Sequence, residues 1–314
     1  MSGEQAASMT VDSSRGPTPI VAVREASFAY DAQRQVLKRL SFAVEPGEFV
    51  GVVGPNGSGK STLLDLIDGI LAPTEGTVLV AGRPTSGYRR RDLAREVALV
   101  PQQFTLDFDL TVRELVEMGA YCRGQSCSPR DEAERALGKL GIAELAERPF
   151  PHLSGGEQQM VVLAQALVQQ AGLLLLDEPA ASLDVSHQLA LFELLRSFNA
   201  EGLTVICVLH DLNLALNYFD KALVLSGGEL AAWDTVDEAL RPEVLEAVYG
   251  VQASLHRHAG RSYLTFTPRS WSERQGRGEK VHLVCGGGSG SALMSRLVGL
   301  GFQVSAGVLN ALDS

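Results

Sequence analysis

The chain has 314 residues, 45% of them hydrophobic and 20% charged, with a net charge of −10. That acidic balance argues against a nucleic-acid binder, which usually shows a basic face. No apolar run approaches the ~18 residues needed to span a bilayer, and the N-terminus lacks the basic and apolar regions of a signal peptide. A cytoplasmic protein of about two domains, ~150 residues each, is the expectation.

Residues 1–18, rich in Ser, Gly and small side chains, read as a disordered tail. Val21–Phe28 and Leu40–Val44 predict early strands with a turn around "DAQRQ", and "GEFVGVVG" predicts a buried strand ending in glycine. Thr62–Leu71 has helical spacing, and "GTVLVAG" and "REVALVPQ" follow as strands. From Thr111 to about Arg148 the pattern turns helical, with Ser128 as a cap and Pro129 in the first helical position. "AGLLLLDEP" and "LTVICVLH" are apolar enough for fully buried strands of a parallel sheet, separated by the amphipathic "HQLALFELLRSFN". Strands alternating with helices imply an α/β domain. A helix near Asp237–Tyr249, two short strands joined through Ala259-Gly260, a polar linker over 268–280 and a strand–turn–helix–strand piece over 281–314 complete the chain. Cys122, Cys127, Cys207 and Cys285 match no metal-ligand spacing and read as reduced thiols.

The chemistry concentrates in short stretches. Gly54, Pro55, Asn56, Gly57, Ser58, Gly59, Lys60 and Ser61, followed by Thr62, fill every fixed position of G-x-x-x-x-G-K-[ST], between a buried strand and a helix. Backbone N–H groups of 57–60 would wrap a β-phosphate at the helix N-terminus. Lys60 would neutralise β- and γ-phosphates, and Ser61 would ligate Mg²⁺. In "LLLLDEP", Asp177 ends a strand where open α/β sheets bind ligands, and can hold the metal shell. Glu178 follows as the candidate base that orients water. "LSGGEQQM" at Leu153–Met160 is a second anion-binding helix start, without a lysine of its own.

Taken in order, "GPNGSGKST", Gln102, "LSGGE", "LLLLDEP", "SLD" at Ser182–Asp184 and His210 resemble the nucleotide-binding subunit of an ATP-binding cassette (ABC) transporter, from about Ile20 to Pro268. The resemblance implies an α/β phosphate-loop cassette over 19–267: a mostly parallel core sheet, an antiparallel β subdomain and a helical subdomain at about 105–153. A small α/β extension would follow it. It implies ATP and Mg²⁺ as ligands, a head-to-tail homodimer, two transmembrane permease subunits, and indirectly a periplasmic or extracellular substrate-binding protein, with the chain peripheral on the cytoplasmic membrane face. In that family Ser154, Gly155 and Gly156 serve the γ-phosphate held by the other subunit, and Asp184 bridges the two sites. Tyr30 falls where the family stacks an aromatic on adenine, the alternative being a surface tyrosine. Gln102, or Gln103 in the other register, falls where a glutamine touches Mg²⁺ or water. His210 falls where a histidine contacts the γ-phosphate. Gln158, Met160 and Gln165 stand where the family commonly has arginines, which leaves charge pairs along that helix open.

"TVRELVEMGAY", "SLDVSHQ" and "HDLNLALNYFDKALVLSGGEL" resemble importers of iron–siderophores, haem and cobalamin, and "VHLVCGGGSG" resembles an extension on some cobalamin-importer ATPases. "GGGSGS" is no proper dinucleotide fingerprint, so no nucleotide site is expected there. An exporter ATPase would share the catalytic motifs. A soluble translation or repair cassette would instead carry a second cassette or a long insertion.

Overall fold

The computed structural model describes residues 18–31, 34–106, 108–126, 128–258, 261–268, 280–285, 290–299 and 302–308. The tail expected over 1–18 and the linker expected over 268–280 lie outside the described residues, except Thr18, Pro268 and Lys280. So do Cys127 and the glycine-rich turn after Cys285. The chain divides into two compact units, one ending at Ala239 and one beginning at Leu240.

The first unit holds two sheets. β1 (Val21–Ala29), β2 (Gln35–Val44), β4 (Glu75–Val80) and β5 (Arg83–Pro84) form an antiparallel sheet in the order β2-β1-β4-β5. β1 buries Val21 and Val23, then Ala26 and Phe28. The change of phase is absorbed by register shifts after Val23 and by Glu25 at φ 48°. Without that bulge a period-two strand would turn Phe28 to solvent. β2 starts at Gln35, earlier than the sequence pattern indicates: Leu37 is fully buried but out of phase with Leu40, Phe42 and Val44, and a register shift with Arg39 at φ 47° absorbs the change.

β3 (Phe49–Val53), β6 (Val97–Val100), β7 (Leu173–Asp177), β8 (Thr204–Val208), β9 (Lys221–Ser226) and β10 (Glu229–Thr235) form the second sheet, in the order β10-β9-β3-β8-β7-β6. All neighbours are parallel except β9 and β10. β3 and β8 are buried at every residue, as unbroken apolar strands covered on both faces must be. α1 (Lys60–Ile67) places Leu63, Leu64, Leu66 and Ile67 in one core with residues of both sheets.

α3 (Val112–Glu117), α4 (Pro129–Lys139) and α5 (Gly155–Val168) pack together as the helical part. Ser128 caps α4 and Pro129 opens it, as expected. Thr111 and Glu114 form a capping box on α3. α6 (Val185–Ala200), α7 (Leu212–Tyr218) and the short α2 (Arg90–Leu93) and α8 (Val236–Ala239) complete this unit.

In the second unit, α9 (Pro242–Tyr249) packs on the hairpin of β11 (Gln252–His258) and β12 (Arg261–Thr267). The single helix expected near 237–249 is two helices, because Pro242 has no N–H and drives Arg241 out of the helical region, to φ −58°, ψ 147°. β13 (Lys280–Cys285) and β14 (Gln303–Val308) pair in parallel, with α10 (Gly290–Gly299) between them in sequence, matching the expected strand–helix–strand piece. No described helix is long and apolar enough to cross a membrane.

Candidate functional site

The sheet order sets β3, β8, β7 and β6 side by side and parallel, so their C-terminal ends open along one edge. Each strand hands one functional segment to that edge. The loop after β3 carries residues 54–59, β8 leads to His210, β7 ends at Asp177 with Glu178 next, and β6 leads to Gln102.

Two loop positions admit only glycine. A Cβ on Gly54 would lie 2.2 Å from the Leu225 carbonyl oxygen and 2.8 Å from Ser58 Oγ. Gly59 caps α1 at φ 100°, and a Cβ there would strike Leu37 at 2.4 Å. The Ser58 N–H donates to the Pro55 carbonyl at 3.2 Å, which tightens the turn. Lys60, only 6% exposed, donates from Nζ to the carbonyls of Gly54 (2.8 Å) and Pro55 (3.1 Å). Burial pushes its ammonium pKa down, against the opposing pull of Glu178 and Asp177. Ser58 Oγ is buried without a partner.

Asp177 carries a second orphan: its Oδ1 is buried with no hydrogen bond. Burial pushes the carboxyl upward, opposed first by a hydrogen bond with Ser61. Glu178 sits at φ 50°, a left-handed backbone that costs a non-glycine residue about 1–3 kcal/mol. Its side chain is held at both oxygens. His210 Nε2 is 2.5 Å from Oε1, and Gln102 Nε2 donates to Oε2 at 2.7 Å. The neighbouring Gln103 is exposed, and it is Gln102 that reaches Glu178.

Lys60, Gln102, Glu178 and His210 face a cleft of about 790 Å³, which Asn56, Gly57, Gly59, Ser61 and Thr62 also line; Gly54, Pro55, Ser58 and Asp177 lie behind its lining. Tyr30 stands at the same cleft, 55% exposed, edge-on to Phe28 at 4.9 Å, with its hydroxyl 3.4 Å from Thr62 Oγ1. Arg34 and Gln35 line it too. Sequence reasoning missed both, since Arg34 ends the turn before β2, Gln35 is the first residue of β2, and no spacing marks them.

Ser154, Gly155, Gly156 and Asp184 are absent from the residues lining this cleft. Ser154 caps α5 in a capping box: Oγ donates to Glu157 Oε2 at 2.7 Å and accepts from the Glu157 N–H at 3.4 Å. Gly155 and Gly156 form the first turn of α5, and a Cβ on Gly156 would meet Leu183 at 3.0 Å. The turn therefore lies against the 182–184 loop. Asp184 caps α6 and accepts from the His187 N–H (2.9 Å) and Ser186 Oγ (3.0 Å). His187, through its N–H and its ring, holds the Asp184 carboxyl down to about 2. Where arginines are missing from α5, Gln158 donates to the Phe150 carbonyl at 3.3 Å, and an Arg148–Glu157 pair at 3.2 Å braces the helix start.

The chemistry of the arrangement is that of a phosphate site with a base beside it. One wall offers a buried ammonium and a helix N-terminus, the other the Glu178 carboxylate, and next to it Asp177 holds a buried, unpaired oxygen.

Residues 37–181 match the ABC transporter family. The cobalamin import ATP-binding protein BtuD of Halobacterium salinarum is 38% identical over 280 residues, covering 88% of this chain and 70% of that protein. The hemin import ATP-binding protein HmuV of Pseudomonas fluorescens is 43% identical over 238 residues, covering 74% and 93%. Among solved structures, a metal-chelate type ABC transporter in an inward-facing conformation aligns with TM-score 0.69 at 28% identity, over 80% of this chain and 98% of that one. A dimeric ATP-binding cassette in a post-hydrolysis state, bound to ADP and Pi, aligns with TM-score 0.64 at 30% identity, over 69% and 98%.

Proposed function

Because the chain belongs to the ABC transporter family of ATP-binding proteins, we propose that it is the ATP-hydrolysing subunit of an importer for a metal-chelate cargo: cobalamin or another corrinoid, haem, or an iron–siderophore. One observation carries the ATPase part. Four adjacent strand ends bring a phosphate loop, the Glu178 carboxylate, a glutamine and a histidine to a single cleft, with Asp177 Oδ1 buried next to Glu178. The cargo class rests on the import relatives named above, for cobalamin and for hemin.

In this reading the N–H groups of 57–60 and Lys60 bind the β- and γ-phosphates, and Tyr30 stacks on adenine. Lys60 exchanges its two carbonyl acceptors for phosphate oxygens. Glu178 takes a proton from the attacking water as its oxygen bonds to the γ-phosphorus, and ADP leaves. His210 holds the γ-phosphate. The buried unpaired Oδ1 of Asp177 and the adjacent Ser61 fit a hard divalent cation, so they, with Gln102, would hold Mg²⁺. When bound, Mg²⁺ supplies positive charge that neutralises the phosphate oxygens. Before ATP arrives both Glu178 oxygens are engaged, and a γ-phosphate that draws His210 away frees Oε1 to accept the water proton.

Ser154, Gly155 and Gly156 then serve the ATP of a second copy in a head-to-tail homodimer, and Asp184 lies between the two sites. Two transmembrane permease subunits and a substrate-binding protein complete the importer, with this chain peripheral on the cytoplasmic face. Assembly with its membrane subunits tests the cargo class. ATPase turnover is expected to rise severalfold with binding protein loaded by one of the three chelate classes. Unstimulated turnover with all three, together with ATP-driven cargo efflux, would make it an exporter.

The adenine contact has its own test. Tyr30→Ala is expected to weaken ATP binding by about 1–3 kcal/mol, the worth of one stacked base. Maximal turnover should stay near the parent value, because the ring is remote from the γ-phosphate. An unchanged ATP dissociation constant would return Tyr30 to the surface reading.

A further inference from the structure

The nucleotide cleft holds a second cation besides Lys60. Among the described residues that line it, only Lys60 and Arg34 carry a fixed positive charge. Lys60 belongs to the β- and γ-phosphate end. The Arg34 side chain is exposed, and among the described residues its guanidinium has neither a hydrogen bond nor an ion pair. Its polar contacts run through the backbone alone.

That backbone is held in place. The Arg34 N–H donates to Asp31 Oδ1 at 2.8 Å, and the Arg34 carbonyl accepts from the Tyr30 N–H at 3.3 Å. Ala29 pairs with Gln35, so Tyr30 and Arg34 stand opposite each other at the closed end of the β1–β2 hairpin, where opposed residues share a face. The start of β2 is also wedged between the phosphate loop and the turn joining β9 to β10. A Cβ on Gly59 would strike Leu37 at 2.4 Å, and one on Gly228 would lie 2.2 Å from the Val36 carbonyl oxygen. The Lys38 N–H donates to the Gly228 carbonyl at 2.8 Å. Glu178, Gln102 and His210 mark the γ-phosphate end of the cleft. Tyr30, with its hydroxyl 3.4 Å from Thr62 Oγ1, marks the adenine end, and Arg34 stands beside it. The charged group of a nucleotide nearest its base is the α-phosphate.

We propose that the Arg34 guanidinium binds the α-phosphate of the nucleotide whose adenine lies on Tyr30, a step that rests on the ATP-binding reading above. A guanidinium offers two parallel N–H donors that match the spacing of phosphate oxygens. No carboxylate has to release it first, because it has no partner among the described residues. The contact holds ATP and ADP alike, since both carry an α-phosphate, and it adds nothing at the γ-phosphate. The rival is a solvated arginine of a hairpin end, which touches no nucleotide.

The test is the dissociation constants of ATP and of ADP, each with Mg²⁺, on the full-length chain and its variants. Arg34→Ala is expected to weaken both nucleotides by the same factor, about tenfold, the low end for a charge-assisted hydrogen bond in a cleft open to solvent. Arg34→Lys keeps the charge and is expected to recover part of that loss. Arg34→Gln keeps a planar polar end without the charge and is expected to recover none. ADP binding by the parent is expected to fall more steeply with salt than binding by Arg34→Ala, because an exposed charge contact is screened. Unchanged ADP affinity in Arg34→Ala would make Arg34 a solvated surface residue. A loss for ATP several times that for ADP would place it on the γ-phosphate. Recovery by Arg34→Gln but not by Arg34→Lys would place it on the base or ribose, and equal salt slopes would remove the charge contact. Each of these outcomes overturns the proposal. The comparison of Arg34→Lys with Arg34→Gln decides it even where Arg34→Ala misfolds. A parent chain that binds neither nucleotide would sink the ATP-binding reading itself, whereas a binding parent with unaffected variants sinks only this assignment.

Discussion

Glu178→Gln is expected to bind ATP with Mg²⁺ at near-parent affinity and to hydrolyse it about 10²- to 10⁴-fold more slowly at saturating ATP, the usual cost of losing a general base. The substitution keeps the volume and the planar end of the side chain. The amide can still offer its oxygen to Gln102 or His210, so the cleft wall and the left-handed backbone at 178 stay as they are. What it loses is a carboxylate able to take a proton. Asp177 cannot stand in. Its backbone pairs with β8 and its side chain lies buried beside Ser61, facing the proposed metal position rather than the attacking water. Turnover within a factor of about three of the parent would move the base elsewhere, with His210 the first candidate. Measuring ATP binding on the same sample separates a slow enzyme from an unfolded one.

How much of this site could be read from sequence depends on how local its determinants are. The phosphate loop is a contiguous stretch that fills a fixed pattern, and at Gly54 and Gly59 an added Cβ would meet Leu225 and Leu37. The cap role of Ser128 and the buried strand before Asp177 were legible for the same reason: a few adjacent residues suffice. Gln102 and Gln103 were not separable, because both follow Pro101 and nothing nearby distinguishes them. Sheet register separates them. Val100 pairs with Leu176, and Asp177 pairs with Val208, so the residues two past Val100, one past Asp177 and two past Val208 emerge together. Those residues are Gln102, Glu178 and His210, and their hydrogen bonds follow from a pairing that no sequence spacing reports. The bulge at Glu25 was hidden likewise, since its consequence is a change of face rather than a change of composition. Pro242 was visible, but the helical periodicity around it masked the break that its missing N–H enforces.

A mixed dimer is expected to trap one ATP where each parent mutant homodimer traps almost none, and this outcome carries the head-to-tail arrangement. In one chain the capping turn at Ser154 lies against Ser182 and Leu183 and does not line that chain's own phosphate cleft. If it serves a phosphate at all, the phosphate comes from another chain. Let one chain carry Lys60→Ala and the other Ser154→Arg, both with Glu178→Gln so that bound ATP persists. One site of the mixed dimer then joins the broken phosphate loop to the broken capping turn and holds nothing. The other joins the intact phosphate loop of the Ser154→Arg chain to the intact turn of the Lys60→Ala chain and is complete. In either homodimer every site has one broken half. Were the turn to act on its own chain's nucleotide, neither chain would own a complete site and the mixture would trap none. Occlusion of labelled ATP is the measurement, because transport can require both sites to fire. Background-level trapping in a mixed sample whose heterodimers have been verified independently would exclude the cross-chain site.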